Sequence, residues 1–244
     1  MMKRFHDIAA AVLAILSFVA LVDPISAAPA ERFEVTSIKA IRPTLTNTLD
    51  AVQKRDATRA RESFQAYDSG WNGIEFYVNT RSRPMYELLE LQYQPKITKA
   101  LEAASPDFAA IAPDVQGMLA KFDELVAMIE KAAPLNPLFD DIARLRIVRA
   151  HLREVPPALK VGNFAKARES FKKFDETWDS IEDLIKVRSQ DAYVAIEKGM
   201  IEIEDALMPD KPDVAKATAL VNEVMTRYNA VLAEIAKEAR AANR

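Results

Sequence analysis

The feature that most constrains this chain is that it writes one pattern twice. ARESFQAYDSGWNGIEFYVNTRSRPMYELLE, residues 60–90, recurs as ARESFKKFDETWDSIEDLIKVRSQDAYVAIE at residues 167–197. The offset is 107 without a gap, and 13 of the 31 positions are identical. At the same offset Ile38, Ile41 and Leu45 fall on Leu145, Val148 and Leu152. Past the core of the repeat the offset becomes 106, and Val115, Met118, Phe122, Leu125 and Ile129 fall on Val221, Val224, Tyr228, Val231 and Ile235. Steps of three and four mark the buried seam of an amphipathic helix.

The pattern predicts four helical segments per copy, at 33–54, 57–80, 84–104 and 107–132, then at 138–155, 163–187, 190–208 and 212–241. Gly162, the SPD at 105–107 and the PDKPD at 209–213 punctuate them, since glycine ends helices and proline is tolerated where they begin. No alternation of apolar residues is long enough for a sheet. The expected fold is all-α, with two tandem antiparallel four-helix units, residues 31–133 and 134–244, joined at APLNP (133–137). ALKVGNFAKARESF (158–171) also looks like part of a tetratricopeptide repeat. The self-similarity, however, recurs at about three times the roughly 34-residue period of such arrays.

Residues 1–30 read as a signal peptide: Lys3 and Arg4, an apolar run from Ile8 to Val22, and a small-residue exit at Ala28-Pro29-Ala30. The run falls short of the roughly 20 residues of a spanning helix. The expected mature chain is therefore periplasmic or secreted, without stable membrane insertion. A net charge of −3 argues against nucleic-acid partners. There is no cysteine, hence no disulfide and no thiol chemistry. With no G-x-S-x-G, no phosphate loop and one histidine (His151) beyond the leader, the chain is not expected to be an enzyme.

The retained residues divide by chemistry. Phe171, Phe174, Trp178, Ile181 and Ile185 form one seam, and Phe64, Tyr67, Trp71, Ile74 and Val78 its counterpart. Asp175 and Glu182 border the first, Asp68 and Glu75 the second, and Glu197 and Glu204 border the seam of the next helix. Folding the two helices back about residues 188–190 brings Glu182 level with Glu197, and Glu75 level with Glu90 in the first copy. A second rung, Asp175 with Glu204, is expected to be lost in the first copy, where Ile97 stands opposite Asp68. Level carboxylates repel unless a cation, an arginine or a shared proton lies between them; otherwise they are solvated or held in structural ion pairs. With no histidine-rich or cysteine-rich set, an oxygen-only site helped by a tyrosine suits a hard cation: ferric iron, calcium, magnesium or manganese.

A-x-K-x-G-N-F-A-K-A-R-x-x-F-x-x-F-D-x-x-W-x-x-I-E from Ala158, followed by S-x-x-x-Y-x-x-I-E-x-x-M, resembles the extracytoplasmic helical domain of bacterial high-affinity iron permeases. Similar domains also occur as free-standing exported proteins. The likeness is best over Ala158–Met208 and weakens in the first copy, where Arg55 stands for Gly162 and Tyr93 for Met200. The resemblance implies a metal role for Asp175, Glu182, Tyr193 and Glu197 beside Trp178, and for Asp68, Glu75, Tyr86 and Glu90 beside Trp71. It does not imply transport, because the intramembrane helices and their Arg-Glu-x-x-Glu signature are missing. The leading expectation is an exported helical-bundle protein that binds or relays iron or another hard cation beside a membrane iron permease. The alternative is a metal-free interaction module.

Overall fold

The apolar seams become the buried faces of helices. Phe64, Tyr67, Trp71, Ile74 and Val78 are buried, as are Phe171, Phe174, Trp178, Ile181 and Ile185. The structure, a computed structural model, describes residues 31–242; the expected signal peptide lies outside them. The fold is all-α, and the described residues contain no strand.

The first copy supplies α1 (Phe33–Gln53), α2 (Ala57–Arg81), α3 (Arg83–Tyr86), a π-helical segment (Glu87–Tyr93), α4 (Gln94–Glu102) and α5 (Phe108–Lys131). The second supplies α6 (Leu138–Arg153), α7 (Val155–Lys160), α8 (Phe164–Trp178), α9 (Glu182–Lys186), α10 (Gln190–Leu207) and α11 (Val214–Ala242). Helices begin at Ala57 and Phe164 and again at Arg83 and Gln190, 107 residues apart, whereas Phe108 and Val214 are 106 apart.

Two expected helices are broken. The expected 163–187 helix stops at Trp178 and resumes at Glu182. The hydroxyls of Thr177 and Ser180 bond backbone carbonyls of the last turn, and Ser180 and Ile181 donate to carbonyls three residues back. Such side-chain bonds compete with the helical ladder and tighten its end. The expected 84–104 helix instead contains the π segment, whose wider turn accommodates an extra residue.

α1 packs against α2 and α5, α10 against α11, and α6 against α8 and α11. Glu31–Arg244 forms one compact unit, in which the copies meet through α2 against α6. Gly73 makes that approach possible, since a Cβ there would stand 2.6 Å from Cγ1 of Ile147. Polar bonds run along the joint: Ser69 Oγ to Glu154 (2.9 Å), Arg146 to Glu75 (2.6 Å) and Tyr77 Oη to Asp140 (2.5 Å).

Candidate functional site

Many of the retained residues hold the helices together. Arg61 donates to the carbonyls of Leu101 (2.6 Å) and Ala103 (3.0 Å), closing the end of α4. Arg168 does the same for α10 at Leu207 (3.1 Å) and Pro209 (2.5 Å). These bonds satisfy carbonyls that a helix terminus leaves open. Ser82 and Ser189 cap the next helices, accepting from Met85 N (3.3 Å) and Ala192 N (3.1 Å). Arg81 forms a bidentate pair with the buried Glu34 (2.8 and 2.7 Å), and Arg188 lies 3.9 Å from Asp141. Glu34 and Asp141 are themselves 107 apart.

The arginine clamps locate the change in offset. Arg61 and Arg168 are 107 apart, yet their partners Leu101 and Leu207 are 106 apart. The first copy therefore gains one residue between Arg83 and Leu101, and the π segment lies in that interval. Buried Leu89 matches Ile196 at 107, whereas buried Ile97 matches Ile203 at 106. This corrects two expected correspondences. Ile97 does not stand in for Glu204; Thr98 does. The counterpart of Met200 is Gln94, a buried amide, rather than Tyr93.

With the clamps, caps and seams accounted for, a carboxylate and tyrosine set remains around each tryptophan. In the second copy the Trp178 indole donates to Glu197 Oε1, and the Tyr193 ring stacks on the indole at 6.4 Å with an interplanar angle of 11°. Burial, then the charges of Glu197 and Glu182, push the Tyr193 phenol above its usual range, so all three side chains share one neighbourhood. Neither glutamate forms an ion pair with lysine or arginine among the described residues. Arg188 turns instead to Leu184 O (3.1 Å), Asp141 and Glu238. Lys186 lies over the Tyr193 ring at 4.9 Å. Asp175 and Glu204 are exposed.

The first copy is more enclosed. Glu90 lies within electrostatic reach of Asp68, Glu75 and Tyr86, and Tyr86 within reach of Glu75. Burial raises the Glu90 carboxyl, as do the charges of Glu75 and Asp68, while the Trp71 indole and Arg153 oppose the rise. Asp68 is raised by burial against the pull of Arg153 and of the Gln94 amide that donates to it. The Tyr86 phenol is raised by burial, then by Glu75 and Glu90. Glu75 is already paired with Arg146.

Among the described residues, no group of three or more Asp, Glu, His or Cys side chains is placed to hold a metal ion. Arginines stand among the first-copy carboxylates, and in the second copy Asp183 joins Glu182 and Glu197 within electrostatic reach of the tyrosine. The sequence reading missed Arg146 and Arg153. With Arg149 they step by three and four along α6; Arg146 and Arg153 turn to Glu75 and Asn72 of α2, while Arg149 bonds Asn229 of α11. It also missed Tyr67 as a polar member of the first site.

Among the described residues no helix is long and apolar enough to cross a membrane. Comparison with protein-family models, with curated proteins and with solved structures finds no match to the chain.

Proposed function

We propose that this chain is a non-enzymatic, exported helical module in which Glu182, Tyr193 and Glu197 take up and release a hard cation, iron foremost, beside a membrane iron permease. The observation behind the site is the second-copy pair itself: two glutamates beside one phenol, with no lysine or arginine ion pair neutralising them. The iron and permease parts of the reading rest on the sequence resemblance. Three protein oxygens leave most of a hard cation's six to eight positions to water, which suits a relayed ion better than a resident cofactor. The test is titration of metal-stripped protein with ferric citrate and with calcium, followed by melting temperature and by the visible phenolate-to-iron band. Glu182→Gln and Glu197→Gln should each abolish uptake, and the double variant should lose little more, because the pair acts as a unit. Uptake that survives the double variant removes this site.

A metal-free interaction module is the second reading. Two observations favour it: the architectural work of the retained arginines, serines and aromatics, and the lack of a three-ligand group among the described residues. On that reading neither metal shifts the melting temperature, and neutralising Glu182 or Glu197 is without effect or stabilising.

A further inference from the structure

The two tryptophan–glutamate pairs differ in one respect that the π segment explains. In the second copy, on the regular helix α10, the indole N–H of Trp178 reaches Glu197. In the first copy Glu90 lies within the π segment, and the indole N–H of Trp71, although near enough to its carboxylate to oppose the rise in its pKa, is left without a hydrogen-bond partner. Four buried polar atoms are left without a partner there: Trp71 Nε1, Tyr67 Oη, Glu90 Oε2 and Gln94 Oε1. Tyr67 and Trp71 are 0% and 1% exposed, and Gln94 is 8% exposed. Leaving such atoms unpaired costs about 1–3 kcal/mol each, so a neighbourhood holding four of them is built for an occupant.

The four belong together. The Tyr67 and Trp71 rings stack at 5.8 Å, one turn apart on α2. Gln94 lies one turn beyond Glu90, and its amide nitrogen donates to Asp68, the residue after Tyr67. Glu90 and Gln94 also line a surface groove of about 380 Å³ with Pro95 and Thr98, which borders the cluster on their side.

The donor and acceptor inventory selects the class of ligand. The indole N–H can only donate, so the occupant must offer it an acceptor, while the adjoining phenol can donate or accept. A bare metal ion or an ammonium group has no acceptor to offer the indole. An anion would meet Glu90 and Asp68. What remains is a neutral group that accepts two hydrogen bonds and donates two. We propose that the first copy carries a binding site for a primary carboxamide. Its oxygen accepts from Trp71 and Tyr67, and its NH2 donates to Glu90 and Gln94. The second copy lacks this site because its indole is already bonded and because Phe174 and Met200 replace Tyr67 and Gln94. The proposal does not rest on the cation reading, whose residues lie in the other copy.

Trp71 and Trp178 are the two tryptophans of the chain, so a Trp178→Phe variant reports on Trp71 alone. Titration of that variant with acetamide should shift Trp71 emission saturably, while methylammonium and acetate should not. Gln94→Met, which installs the second-copy residue, should weaken acetamide binding about tenfold, near the upper end for one lost hydrogen bond. Saturation-transfer NMR of acetamide on the unsubstituted protein and on Gln94→Met gives the same comparison if Trp178→Phe does not fold. Glu182→Gln/Glu197→Gln should leave acetamide binding unchanged, which separates this site from the cation site. Any of three results overturns the proposal: no saturable binding, which would mean that the site holds water only; equal binding of methylammonium; or an unchanged affinity in Gln94→Met.

Discussion

Arg55 occupies, at φ 58°, the left-handed turn that Gly162 occupies at φ 72° one repeat later. Both turns close a helix with the same pair of bonds. Arg55 N donates to Val52 O and Asp56 N to Ala51 O; Gly162 N donates to Leu159 O and Asn163 N to Ala158 O. This is the Schellman arrangement. The following residue then caps the next helix, with Asp56 accepting from Arg59 N and Asn163 from Lys166 N. A side chain in this conformation costs about 1–2 kcal/mol relative to glycine. Arg55→Gly should therefore stabilise the protein by about 1 kcal/mol and Gly162→Ala destabilise it by a similar amount, as read from chemical denaturation midpoints.

The Glu34–Arg81 pair is the most buried bidentate ion pair in the first copy, with side chains 3% and 12% exposed. Its second-copy equivalent, Asp141–Arg188, is stretched to 3.9 Å. Removing one member of a buried pair strands the other, at about 3–5 kcal/mol. Arg81→Met should cost that much, and Arg188→Met distinctly less. Combining Arg81→Met with Glu34→Leu should recover most of the loss. A double variant as unstable as Arg81→Met alone would show that the charges are not coupled.

Gly73 is the tightest approach described along the joint between copies, and the space beside its Cα has no room for a methyl group against Ile147. Gly73→Ala should cost about 1–3 kcal/mol, the range for overpacking. It should also raise amide exchange along α2 and α6. The second copy has Ser180 at the matching position, where the helix is broken. Ser180→Ala should therefore change stability by no more than about 0.5 kcal/mol.

The all-α fold was legible because the seams of Phe64–Val78, Phe171–Ile185 and Val221–Ile235 are periodic, and periodicity reports which face is buried. The change of offset from 107 to 106 was also visible, but sequence alone does not say whether an extra residue enters a loop or a helix. It entered the helix, and that misassigned Ile97 and Tyr93. The candidate carboxylates were legible as a border of the seam. Their partners were not, because Arg146 and Arg153 reach them across the joint from α6, and a long-range packing partner leaves no mark in local spacing.

Glu90 provides a test through pH. Burial and the neighbouring carboxylates hold its folded-state pKa above the unfolded value of about 4.3. The protonated carboxyl therefore favours the fold. Its contribution is fully present below the unfolded pKa and is lost as pH rises through the folded pKa. At neutral pH the ionised Glu90 costs stability. Glu90→Gln keeps the size and shape of the side chain and removes the charge, so it should raise the melting temperature at pH 7, with the gain shrinking toward zero below about pH 4. Carboxylates shifted the other way, such as Glu154 and Asp123, titrate in both proteins and cancel in the difference. Parallel melting curves from pH 3 to 8 measure it. A gain that persists unchanged at low pH would mean that the effect is packing, and that the carboxylate of Glu90 is not held against its neighbours.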